Sequence, residues 1–90
     1  MTGVPVIVEF LGIVRQRAGC EQQEFSAQTL SELWLKVGQR FPQLEGVCFD
    51  AGDLKEGYLA SVDGERFTRS TDLLLHAGNR ILLLSADAGG

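Results

Sequence analysis

Hydrophobic and polar positions alternate along VPVIVEFLG near the start of the chain. Val4, Val6, Val8 and Phe10 fall on one face, and Ile7, Glu9 and Leu11 on the other. Period-two spacing rich in β-branched residues predicts a strand. Its second face is mixed rather than polar, which predicts partial cover on that side. Ala18-Gly19 marks a turn, and residues 21–25, EQQEF, predict a second, more polar strand. The two strands are expected to pair as a hairpin joined by a loop from Gly12 to Gly19.

The period then changes. Leu30, Leu33, Trp34, Val37 and Phe41 recur at helical spacing and form one apolar stripe. Thr29 followed by Glu32 has the form of a capping box, in which the hydroxyl satisfies a free amide of the first turn and the carboxylate reaches back. Pro42 ends the helix, because the residue before a proline resists the α region. Trp34 lies on the stripe and is expected to anchor the core rather than to stack on a ligand.

Residues 43–57, QLEGVCFDAGDLKEG, carry three glycines and predict a long connection holding a short helical turn near Leu44 to Phe49. In YLASVDGERF, Tyr58, Ala60 and Val62 alternate. Asp63-Gly64 supplies the positive φ angles of a tight turn, and a short return strand runs to Phe67. STDLLLHAGNR predicts one turn of helix followed by a sharp turn at Gly78-Asn79. Ile81 to Leu84 is the last strand.

The first and last strands are the most apolar, which places them in the middle of a sheet, and one amphipathic helix covers one face. This is a two-layer α+β arrangement. A β-grasp fold fits it best: a mixed sheet of four to five strands with one main helix packed across it. Residues 1–84 form the body, and 85–90 a flexible Gly-Gly tail.

Ninety residues support one domain with a modest core and little room for a deep catalytic pocket. A formal charge of −4 with scattered lysines and arginines argues against nucleic acid or an anionic membrane as partner. The longest apolar run, Ile81 to Leu84, is far short of the ~20 residues that span a bilayer. No secretory signal is visible, so a cytoplasmic location is the expectation.

Catalytic constellations are sparse. His76 has no nucleophile beside it in sequence and reads as a surface turn histidine. Asp50, Asp53 and Glu56 share a loop but lack calcium-loop spacing, and no metal site is expected. Cys20 and Cys48 match neither a zinc pattern nor a redox pair.

The end of the sequence, ILLLSADAGG, is the exception. At an average glycine usage of about 7%, a Gly-Gly end arises by chance in roughly one chain in 200. The 11 glycines here raise that to about one in 70, so the pair alone decides little. Its placement after a core strand adds weight. A terminal carboxylate must be activated before it reacts, and an acyl adenylate made from ATP is one route. A tail without Cβ atoms at its last two positions threads a narrow channel and leaves the Gly90 carbonyl open to a nucleophile. Residues 85–90 extend to about 20 Å, enough to enter a partner's site while the body stays outside. Leu82 and Leu84 would face outward if Ile81 and Leu83 pack on the helix. Leu59, with Ile7 or Leu11, could join them in an exposed apolar patch of the kind that marks an interaction site.

The chain resembles the MoaD/ThiS family of ubiquitin-like sulfur carriers, and within it the MoaD-like small subunit of molybdopterin synthase. VIVEFLGIVRQRAG resembles the family's opening strand and Arg-containing turn, and TLSELWLKVGQRFP its helix. GYLASVDGE resembles its central strand and tight turn, and LLHAGNRILLLSADAGG its closing strand and Gly-Gly end. The tail departs from the pattern at Asp87, where small apolar residues are common.

The resemblance implies that an adenylating enzyme of the ubiquitin-activating type uses ATP to activate Gly90. A sulfur donor then makes a thiocarboxylate, and a MoaE-like large subunit or another acceptor enzyme receives the sulfur. It assigns the chemistry to Gly89 and Gly90, and partner binding to Leu59, Leu82 and Leu84. No bound cofactor is implied, and the chain is not catalytic alone. Carriage of sulfur to thiamine, cysteine or tRNA, conjugation to proteins as a ubiquitin-like modifier, and a β-grasp interaction module with an inert tail remain alternatives.

Overall fold

The computed structural model describes residues 3–68 and 72–86. Their elements run β1 (Val4–Phe10), α1 (Gly12–Ala18), β2 (Gln22–Ala27), α2 (Leu30–Arg40), β3 (Phe49–Asp50), β4 (Asp53–Leu54), β5 (Tyr58–Val62), β6 (Arg66–Thr68) and β7 (Arg80–Ser85). Five strands form one sheet in the order β2-β1-β7-β5-β6, and β3-β4 is a separate two-stranded ribbon. The central pair β1/β7 is parallel, and the other pairs in the sheet are antiparallel. This is the mixed sheet crossed by one main helix that the hydrophobic pattern predicts: a β-grasp fold.

The alternation in β1 sorts its side chains. Val6, Val8 and Phe10 are buried against Ile81 and Leu83 of β7, Ala60 of β5 and the stripe Leu30, Leu33, Trp34 and Val37 of α2. The helix begins as the Thr29 and Glu32 pattern requires. Thr29 Oγ1 accepts from the Glu32 amide at 3.2 Å, and Glu32 Oε1 accepts from the amide of Gln28, one residue before the cap, at 2.7 Å. It ends at Arg40, with Phe41 as C-cap before Pro42. Trp34 is a core anchor, its indole stacked on Phe49 with centroids 5.1 Å apart, while Phe10 meets Phe41 edge-on at 5.2 Å.

The connections differ in part from expectation. The loop predicted between Gly12 and Gly19 is helix α1. Val14 and Ala18, four residues apart, close over the end of the core, and Gly19 stops the helix in the left-handed region at φ 81°. Leu11 gives its N-terminus no side-chain cap, so neither a capping residue nor an extended apolar stripe announced it. The 43–57 connection holds the expected helical turn, in which the Val47 and Cys48 amides donate to Leu44 O at 3.1 and 2.8 Å, and then forms the unexpected β3-β4 ribbon, with Ala51 and Gly52 at φ 54° and 91° between its strands. It brings Leu44, Cys48, Phe49 and Leu54 into the core beside α2. Residues 72–79, by contrast, do not form the predicted helical turn, and Leu74 instead bridges to Thr29.

One carbonyl of the edge strand β2 is taken up by the neighbouring helix. Lys36 reaches from α2 to the carbonyl of Ser26 at 2.5 Å and also lies 3.7 Å from Glu32. A carbonyl engaged in this way is not available for pairing with another strand.

Candidate functional site

The sheet face away from α2 carries the predicted partner-binding leucines. Ile81 and Leu83 are fully buried on the helix side, so the pleat turns Leu82 and Leu84 to the other face. Both are half-buried, as is Leu59. The register brings the three together. Leu84 lies opposite Leu59, and Leu82 lies between Ser61 of β5 and Glu9 of β1. Leu11 extends the Leu59-Leu84 row, its amide donating to Leu83 O at 3.1 Å. Ile7 shares the face one row further along, opposite Arg80 and Glu24.

A further residue belongs to this face. Phe67 on the edge strand β6 pairs with Ser61 and is 62% exposed. It completes a row running Phe67, Ser61, Leu82, Glu9 and Gln22 across the sheet. Ser61 is small and buried, so Phe67 and Leu82 stand up on either side of it. The period-two relation along RFT could have identified Phe67, because Arg66 and Thr68 alternate with it. An aromatic ring left this open on a sheet otherwise lined by leucines is the kind of anchor that dominates protein interfaces.

Charge frames the patch. Arg80 pairs with Glu9 beside Leu82. Arg80 is itself fixed at its backbone, where its amide donates to Asp63 Oδ1 at 2.7 Å. Asp63 sits at φ 56° and Gly64 at φ 70°, the positive angles predicted for that turn.

The strand that carries Leu82 and Leu84 also leads to the last residues of the sequence. It runs one residue beyond the boundary expected from the hydrophobic pattern. Ser85 pairs with Tyr58, and the Ala86 amide donates to Gly57 O at 2.7 Å. Gly89 and Gly90, the residues assigned to acyl chemistry, lie outside the described residues.

The two cysteines stand in different surroundings. Cys48 is fully buried, and burial pushes its thiol up to about 11, against a smaller opposing effect of the Tyr58 hydrogen bond and of Arg17. A thiol held protonated in the core is a poor nucleophile. Cys20 is half-buried and free. His76 is exposed, and its backbone amide donates to Asn79 Oδ1 at 2.7 Å. Among the described residues no group of three or more His, Cys, Asp or Glu could hold a metal, and no helix is long and apolar enough to cross a membrane.

No protein-family model matches the sequence, and no curated protein matches it. Solved structures do share its fold. The small archaeal modifier protein 1 of Methanosarcina acetivorans superposes with a TM-score of 0.86 at 22% identity, over 100% of both chains. A candidate molybdopterin converting factor subunit 1 of Pyrococcus furiosus gives 0.76 at 22% identity, over 91% of this chain and 97% of that one. The BexX/CysO complex of Amycolatopsis orientalis holds a chain that gives 0.78 at 21% identity, over 94% of this chain and 99% of that one. The architecture is thus that of ubiquitin-like proteins, matched from end to end.

Proposed function

We propose that this chain is a sulfur carrier whose Gly90 carboxylate is activated by a partner enzyme and converted to a thiocarboxylate, with molybdopterin assembly as the destination. One observation carries the reading: a single central strand, β7, presents Leu82 and Leu84 on the exposed sheet face and continues into the segment that ends in Gly89-Gly90. Docking surface and reactive end are then consecutive along the chain, the first on β7 and the second a few residues past Ser85. The partner that covers the leucines also receives the tail.

The chemistry needs little from the chain itself. The Gly90 carboxylate attacks the α-phosphorus of ATP in the activating enzyme, and pyrophosphate leaves. A sulfur nucleophile then adds to the acyl carbon and AMP departs, so that sulfur replaces one carboxylate oxygen. The absence of Cβ atoms at Gly89 and Gly90 leaves that carbon unhindered. Leu59, Leu82, Leu84 and Phe67 supply apolar area for a large subunit of the MoaE type or another acceptor. The fold shared with a candidate molybdopterin converting factor subunit and with CysO, found in complex with BexX, supports the reading.

The full-length fit to a small archaeal modifier protein favours a second reading, conjugation through Gly90 to lysines of other proteins. Both readings share the activation step, and one experiment separates them. The chain is incubated with ATP, a sulfide source and an adenylating enzyme of the ubiquitin-activating type, and its intact mass is measured. A gain equal to exchange of one oxygen for sulfur is the outcome expected for the carrier. A covalent adduct to another protein supports the modifier. An unchanged mass with every activating enzyme tried would leave only an interaction module with an inert tail.

A further inference from the structure

A depression of about 170 Å³ opens beside the leucine patch, lined by Pro5, Val6, Ile7, Glu24 and Gly78. It is too small for an ordinary small-molecule site, which occupies ~300–1,000 Å³, and is on the scale of one inserted side chain. Its lining is apolar apart from the Glu24 carboxylate, which Ile7 faces across the β1-β2 ladder. Glu9 pairs with Arg80 and Glu32 with Lys36, whereas the Glu24 carboxylate makes no ion pair or hydrogen bond among the described residues.

We infer that this depression receives one lysine or arginine side chain from the protein that covers the exposed sheet face. The aliphatic stem lies on Pro5 and Ile7 and the cationic head meets Glu24. Long basic side chains bury their stems along apolar surface while the charge stays at the rim, and an apolar floor with a carboxylate at its edge suits that shape. The inference rests on the docking role proposed for this face, with which the depression is continuous: Ile7 lies one row from Glu9 and Leu82. The leucines and Phe67 would provide area without direction. A charge contact at one end of the face fixes which way round the partner sits, and so where it receives residues 87–90. Rim charges of this kind act on specificity and encounter rate more than on total affinity.

The test uses the whole chain and two small probes, N-acetyl-arginine amide and the uncharged N-acetyl-norleucine amide, followed by amide NMR shifts. The expected result is a saturable shift at Val6, Ile7, Glu24 and Gly78 with the arginine probe only. Glu24→Gln should weaken it about two- to fivefold, the range of an exposed ion pair. Equal shifts with both probes would make the depression merely apolar and overturn the inference. So would shifts spread over Glu21, Asp50 and Glu56, or an unaltered response in Glu24→Gln. None of these outcomes bears on thiocarboxylate formation, which the mass measurement decides separately.

Discussion

The side-chain amide of Asn79 donates to Asp63 Oδ2 at 2.7 Å and so joins the β5-β6 turn to the turn that precedes β7. Asn79 is buried, and the same Asp63 carboxylate also holds the amide of Arg80. Two turns distant in sequence are locked together at the end of the exposed face. Asp63→Ala would leave a buried amide without its acceptor and place a β-carbon with no local hydrogen bond at φ 56°. The expected loss is about 1–3 kcal/mol by denaturant unfolding. A double-mutant cycle with Asn79→Ala should recover part of that as coupling, because the two residues share one bond.

Trp34→Ala should cost about 3–5 kcal/mol, since the indole is 1% exposed and stacked on Phe49. Phe49→Leu should cost less, because it keeps most of the volume. Chemical unfolding of both variants checks the order.

Substitutions on the exposed face should separate binding from folding. Phe67→Ser should leave stability within about 0.5 kcal/mol, as expected for an open surface position. It should weaken partner capture by about 2 kcal/mol or more if the ring is an anchor. Leu82→Asp and Leu84→Asp should also abolish capture, with a somewhat larger stability cost because both side chains are half-buried. Calorimetric titration against the activating enzyme, beside thermal unfolding of each variant, reads both quantities.

Much of this arrangement can be read along the chain. The alternation in β1 and β7, the capped stripe of α2 and the Asp63-Gly64 turn each satisfy a local rule that packing then reinforces. What escaped depends on distant contacts. α1 shows only Val14 and Ala18 to the core and is stabilised by the sheet end it closes. The β3-β4 ribbon has two-residue strands, too short for any period to register. Leu59, Leu82 and Leu84 were legible because the pleat dictates their face once Ile81 and Leu83 are buried. The face of Phe67 could be read from the alternation along RFT, but its neighbours could not, because only the register of β6 on β5 and β7 sets it in one row with Ser61 and Leu82.

Removing Gly90 should abolish the mass gain on activation and leave stability within about 0.5 kcal/mol, provided the end of the tail buries little. Intact mass and thermal unfolding of the truncated chain test the two halves independently.

Alkaline pH should destabilise the fold through Cys48. Burial pushes its thiol up to about 11 when folded, from an ordinary value of 9.0. Between those values the native state binds more protons than the unfolded chain. Stability is therefore unaffected by this group below pH 9, and it falls as pH rises toward 11, by at most about 1.4 kcal/mol per pH unit. Cys48→Ala should flatten that decline relative to its own stability at pH 7, measured by urea unfolding from pH 7 to 11.

The bond between the Ala86 amide and the Gly57 carbonyl has a geometric consequence. With Ser85 paired in the sheet and Ala86 bonded beside it, Gly90 stands four residues past a fixed point, and four residues span at most ~14 Å. If Gly90 is the loading point, that point lies within this distance of a fixed corner of the sheet. Any enzyme that loads or unloads it must bring its reacting atoms inside that radius, which leaves the two bodies almost no freedom in how far apart they stand.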